Sequence, residues 1–304
     1  MNRTKTPLAL AVCAALFSLA ACGGGDPLAT ATEGSGDSGK IVVGSADFTE
    51  SALLAEIYAG ALEAKGVSVE KTLNIGSREA YIPALQDGSI DLIPEYTGVL
   101  AQYFNENTSA TESDAVYAEL KSALPDGLAV LDKSEAEDKD AIAVTRETAD
   151  KYSLTSISDL QAVAGDLTLG GPPEWKTRPT GVKGLERLYG VKFKSFRALD
   201  AGGPLSVQAL KNGQVDAADL FTTDPNIPAN DFVVLEDPKN LFAAENVVPL
   251  IAKSKVTDTI SQILNKVSAS LDTPTLAALL KRVVIDKDDG AEVAADFLKE
   301  HGLA

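Results

Sequence analysis

The chain has 304 residues, 45% of them hydrophobic, and 44 acidic against 27 basic side chains give it a formal net charge of −17. Such an acid excess argues against binding nucleic acid or adhering to an anionic lipid surface. The single His is His301 and the two Cys are Cys13 and Cys22, so His-based triads, His relays and Cys- or His-based metal centres are excluded.

Residues 1–21 read as a signal peptide: Arg3 and Lys5 precede an apolar stretch, 8–20, that is too short to span a bilayer comfortably. It runs into Leu19-Ala20-Ala21-Cys22, a match to the bacterial lipoprotein box, which predicts a lipid anchor on Cys22. Residues 22–39 are rich in Gly, Ser, Thr and Ala and read as a flexible tether. Gly34-Ser-Gly36-Asp-Ser-Gly39 in that tract has the spacing of a dinucleotide loop, but no strand precedes it. No cofactor and no catalytic activity are expected, because no nucleophile–base set or phosphate loop occurs elsewhere. The expected location is the outer face of a bacterial cell membrane, with the lipid as the only attachment.

From residue 40, strands and helices alternate, which predicts an α/β fold with mostly parallel sheets. Residues 41–44 suit a buried strand. Asp47 and Glu50 fit a capping box before a helix whose apolar face is Leu53, Leu54, Ile57, Tyr58, Ala61 and Leu62. Val67, Val69, Leu73 and Ile75 suit a strand, Ser77 opens a helix ending at Gly88, and 90–93 returns as strand. Residues 112–124 form an amphipathic helix and 141–145 a strand; 256–303 is a run of helices broken at Leu271-Asp-Thr-Pro274.

One pattern occurs twice. Ala84-Leu-Gln-Asp-Gly-Ser-Ile-Asp91, followed by Tyr96-Thr97, recurs 125 positions on as Ala209-Leu-Lys-Asn-Gly-Gln-Val-Asp216, followed by Phe221-Thr222. The segments opening the two copies, around Ile41–Phe48 and Leu167–Trp175, are both short apolar strands entering a small-residue loop. The expectation is two similar lobes, 40–138 plus 244–304 and 139–243, with crossings near 138–140 and 243–248 that act as a hinge.

Gly44-Ser-Ala-Asp-Phe-Thr-Glu50, Ile75-Gly-Ser-Arg-Glu-Ala-Tyr81, Asp91-Leu-Ile-Pro-Glu-Tyr-Thr-Gly98, Gly170-Gly-Pro-Pro-Glu-Trp-Lys-Thr-Arg178 and Phe221-Thr-Thr-Asp224 together resemble the substrate-binding lipoproteins of osmoprotectant (glycine betaine/choline/carnitine) ABC transporters. The resemblance implies a two-lobed type II periplasmic-binding-protein fold with a ligand cleft between the lobes and no enzymatic activity. It implies a monomer serving a membrane permease and a cytoplasmic ATPase. The family's ligands are quaternary ammonium ions, held because aromatic faces attract a cation that cannot donate hydrogen bonds.

Carried over by position, Tyr96 and Phe221 match cage aromatics, and Arg178 matches a carboxylate-binding Arg. Thr97, Thr222 and Thr223 are placed either to bond ligand or to cap a helix. Arg78 stands near the same loops, and Trp175 either stacks on ligand or packs beneath it. The sequence departs from the family where Ala46 and Asp47 replace Lys and Asn, where Asp140 precedes Ala141-Ile-Ala-Val144, and where Glu245-Asn246 stands for Tyr-Asn. With Asp47, Asp138, Asp140 and Glu245 in the cleft, the pocket would be more anionic than an aromatic box. That suits a larger or donor-bearing cation, such as an ergothioneine-like betainised amino acid. Ligand sensing without transport is the other alternative.

Overall fold

A computed structural model describes residues 39–304, which form one compact unit. The expected signal peptide, Cys22 and all of the expected tether but Gly39 lie outside the described residues. Ten strands occur among the described residues: β1 Lys40–Gly44, β2 Ser68–Thr72, β3 Leu92–Tyr96, β4 Leu128–Val130, β5 Asp140–Thr145, β6 Thr168–Gly171, β7 Ser195–Ala198, β8 Ala217–Phe221, β9 Phe232–Val234 and β10 Val247–Ala252.

They build two five-stranded sheets with one topology. The first has the order β2-β1-β3-β10-β4 and the second β7-β6-β8-β5-β9. In each, three strands run parallel and the fourth is antiparallel to its neighbours: β10 beside β3 and β4, β5 beside β8 and β9. Because β10 comes from the far end of the chain, the first sheet is discontinuous in sequence. The chain crosses between sheets after β4 and again before β10. The two crossings run side by side, bridged at Glu137 and Asn246.

The repeated motif does the same work in both sheets. Asp91 accepts the Val42 N–H at 2.8 Å, and Asp216 accepts the Thr168 N–H at 2.8 Å. Each Asp thereby ties the start of the third strand to the first. Gly88 and Gly213, with φ of 82° and 64°, turn the chain out of the helix before that strand, a left-handed conformation that glycine adopts without a Cβ penalty.

Apolar helix faces cover the sheets. The Thr49–Glu63 helix buries Leu53, Leu54, Ile57, Tyr58 and Leu62 between β1 and the C-terminal helices Asp258–Ala269, Thr273–Lys281 and Gly290–Glu300. A second cluster around Ile82, Leu85, Ile90 and Ile93 fills the opposite face. Two further clusters do the same for the second sheet.

The expected capping box does not form. Phe48 is the N-cap of the first helix and no side chain caps it. Asp47 is exposed, and Glu50 turns inward as a buried group.

Candidate ligand-binding cleft

A cleft of about 710 Å³, open mouth included, runs between the two sheets and draws its lining from both. Its apolar part is three rings. Phe48 follows β1, Tyr96 ends β3 and Phe221 ends β8, so two come from one sheet and the third from the other. Phe48 lies between the others, with centroids 6.2 Å from Tyr96 and 5.2 Å from Phe221. Phe48 is in the repeated opening loop but was not among the expected cage residues.

Tyr96 is held from behind. Its hydroxyl donates to Glu50 Oε1 at 2.6 Å, and Glu50 Oε2 accepts the Thr223 hydroxyl at 2.7 Å, which links the two sheets. Burial pushes the Glu50 carboxyl above its ordinary range, against the pull of these hydrogen bonds.

Both arginines of the cleft are already engaged. Arg78 donates from Nε and Nη2 to Glu95, both at 2.7 Å, and Tyr81 adds its hydroxyl to Glu95 Oε1 at 2.7 Å. Burial opposes the Arg78 charge, but Glu95 outweighs it and the guanidinium stays charged. Arg178 reaches across the cleft mouth to Glu79, at 2.9 Å for the shortest contact, from the second sheet's side to the first's. Burial raises the Glu79 pKa, yet the bonds from Arg178 and Ser77 win and hold it down at about 2.

Besides Ser51 and Ser77, the rest of the polar lining is acidic: Asp47, Asp138, Asp140, Glu174, Asp219 and Glu245. Burial raises Asp138, Asp219 and Glu245 well above the usual carboxylate range and Asp140 less far. Two of these acids have structural duties. Glu245 Oε2 accepts Gly98 N–H at 2.9 Å and Val99 N–H at 3.0 Å, a carboxylate at the start of the Thr97–Phe104 helix where the dipole favours it. Asp138 Oδ1 accepts Thr223 N–H at 3.0 Å and the Thr222 hydroxyl at 3.1 Å at the equivalent turn of the other sheet.

Thr97, Thr222, Thr223 and Asn246 do not line the cleft. Thr97 Oγ1 accepts Asn246 N–H at 3.1 Å, and Thr222 Oγ1 accepts Lys139 N–H at 3.0 Å. Each repeated Thr therefore pins one crossing segment rather than a ligand or a helix end. Asn246 is spent within the crossing, its amide donating to Ser134 O at 3.0 Å. Trp175 borders the cleft but is 1% exposed, stacked on Phe242 at 6.4 Å and donating Nε1–H to Asp140 at 3.1 Å. It packs beneath the site and positions Asp140.

Phe48, Glu50, Glu95 and Asp219 were not expected at the site. The signal for Asp219 was available: an acid inside the apolar run Ala217-Ala218-Asp219-Leu220-Phe221 has no reason to be there as core.

A family model described as the substrate binding domain of an ABC-type glycine betaine transport system matches residues 39–300. Over its full length the chain is 31% identical to 96% of the glycine-betaine-binding protein of Pseudomonas aeruginosa. Over 86% of its length it is 30% identical to 90% of the glycine betaine-binding protein YehZ of Escherichia coli. The structure of apo YehZ superposes with a TM-score of 0.60 at 29% identity, covering 87% of this chain and 99% of that one. A glycine betaine/carnitine/choline ABC transporter structure gives 0.68 at 23% identity over 86% and 99%, a likeness of fold. On the family match, the shared discontinuous two-sheet topology and the cleft between the sheets, this chain belongs to the OpuAC family of substrate-binding domains of ABC transport systems.

Proposed function

We propose that the protein is an extracytoplasmic receptor, anchored through a lipid on Cys22, that closes on a small quaternary-ammonium-type cation and delivers it to an ABC permease driven by its ATPase. The observation that carries this reading is the convergence of Phe48, Tyr96 and Phe221 from both sheets on one cleft with an acidic lining. Each favourable ring contact with a cation is worth about 0.5–2 kcal/mol, more where water is excluded. Excess carboxylates raise the local concentration of a cation and disfavour anions. The glycine betaine named for the relatives, and the choline and carnitine named for structural neighbours, belong to this chemical class.

Closure follows from contacts on both sides of the cleft. Phe48 against Phe221, Glu50 with Thr223, and Arg178 with Glu79 all join the lobes. A ligand that touches both sides binds the closed form better than the open one and shifts the population by that difference.

A thermal-shift screen of residues 39–304 against choline, glycine betaine and carnitine at millimolar concentration tests the reading. A ligand that binds only the folded state must raise the unfolding midpoint. If no member of the set moves it, the ammonium assignment is wrong.

A further inference from the structure

Asp219 is the one cleft acid with an unfilled hydrogen-bonding requirement. It lies at the centre of β8, is 1% exposed, and its Oδ1 is buried with no hydrogen-bond partner. Buried carboxylate oxygens are ordinarily satisfied, so an orphan that borders a cleft marks where a missing donor would sit. Trp175 Nε1–H goes to Asp140, and Arg178 Nε and Nη2 go to Glu79, so none of these three donors serves Asp219. Asp140 adds negative charge from the adjoining strand β5.

Residues two apart on a strand share a face. Asp219 and Phe221 therefore both point into the cleft, separated by about 6.6 Å along β8. The rings hold a group that donates no hydrogen bonds, whereas Asp219 requires one that does.

We propose that Asp219 accepts a hydrogen bond from an N–H-bearing cationic group of the ligand, so that the cleft takes a two-headed cation with a methylated ammonium against the rings and an N–H head at Asp219. This rests on the ammonium-binding reading above and narrows it. It gives the surplus acids of the cleft a second positive charge to face. Burial raises the Asp219 pKa and Asp140 raises it further; a cationic donor at this spot removes both pressures.

The test is calorimetric titration of residues 39–304 with aminoalkyl-trimethylammonium ions of two-, three- and four-carbon spacers. Each is compared with the bis(trimethylammonium) ion of the same spacer, which has the same charge and no N–H, and with choline and glycine betaine. The best aminoalkyl member is expected to bind at least about ten-fold tighter than its counterpart and than choline, the scale of a charge-assisted hydrogen bond. In Asp219→Asn, which keeps the shape and removes the charge, the advantage of the aminoalkyl ion over its bis(trimethylammonium) counterpart should fall to within about three-fold. The unliganded variant's unfolding midpoint, which should not drop, verifies its folding. Absence of the advantage in the wild type, or its persistence in Asp219→Asn, overturns the two-headed assignment while choline binding leaves the ammonium reading standing. If no compound binds, choline and glycine betaine included, both fall.

Discussion

Arg178 lines the cleft and bridges its mouth, a position from which one side chain could serve closure and recognition together. Nε and Nη2 hold Glu79 across the cleft mouth, which leaves Nη1 for a ligand carboxylate. In Arg178→Ala, glycine betaine and carnitine are expected to bind about ten-fold more weakly, as for loss of a charge-assisted hydrogen bond, and choline within about three-fold of wild type. Equal losses for both classes would assign Arg178 to closure alone. Glu79 is 47% exposed, so the bridge adds little to stability, and its contribution is lost only as pH falls through about 2. At this scale the repeat singled out Tyr96 and Phe221, which close its two copies and both line the cleft. It did not disclose Phe48: in the duplicated openings Phe48 and Trp175 are alternative aromatics, and only packing decides between them. Trp175 packs on Phe242 and donates to a buried acid, whereas Phe48 stays partly exposed, set against the two rings of the cleft and the edge of the first sheet's core.

Among the elements, the bonding of the segments that join the two sheets was not readable in the sequence. The repeat announced that Thr97 and Thr222 were equivalent. It could not tell that their partners, Asn246 and Lys139, would arrive from the opposite crossing, because those contacts span 149 and 83 residues. The Thr97–Phe104 helix depends on this arrangement, since its first N–H groups bond to Glu245 rather than to a local cap. Gly98 is required there: a Cβ would sit 2.8 Å from the Ala244 carbonyl and 2.6 Å from Glu245 Oε1. Gly98→Ala is expected to cost about 1–3 kcal/mol, as overpacking does. That corresponds to a fall of several degrees in the unfolding midpoint by calorimetry. A midpoint unchanged from wild type would show that the crossing yields without cost. The capping box at Asp47 and Glu50 failed for a related reason, because Glu50 is recruited by Tyr96 and Thr223 and cannot also serve its own helix terminus.

For the whole molecule, the lobes meet over acids with few cations among them, which makes closure sensitive to pH. Glu50 faces Tyr96 on its own sheet and Thr223 and Asp224 on the other, and Asp138 lies close enough to hydrogen-bond it when one of the two carries a proton. Thr222 and Thr223 bond Asp138 from β8's end. No cation is among the groups that shift Glu50. Burial raises both carboxyls above their ordinary 4.5 and 3.8, as it does Asp140, Asp219 and Glu245. A folded carboxyl with a raised pKa contributes stability in full below its ordinary pKa and loses it as pH rises through the raised value. The unfolding midpoint should therefore fall as pH rises above the ordinary carboxyl range, and Glu50→Gln should flatten that slope, at about 1.4 kcal/mol per proton per pH unit. A variant with the wild-type slope would remove Glu50 from the account.

Opposed aromatic rings from two lobes closing on one cation is the claim on which the other inferences depend, and calorimetric titration of choline and glycine betaine into wild type, Phe48→Ala and Phe221→Ala addresses it directly. Each truncation is expected to weaken both ligands by about three-fold to thirty-fold, the range of one lost cation–ring contact, with a cooperative unliganded unfolding transition verifying that each variant folds. Wild-type affinity in both variants would place the ligand elsewhere and contradict the account.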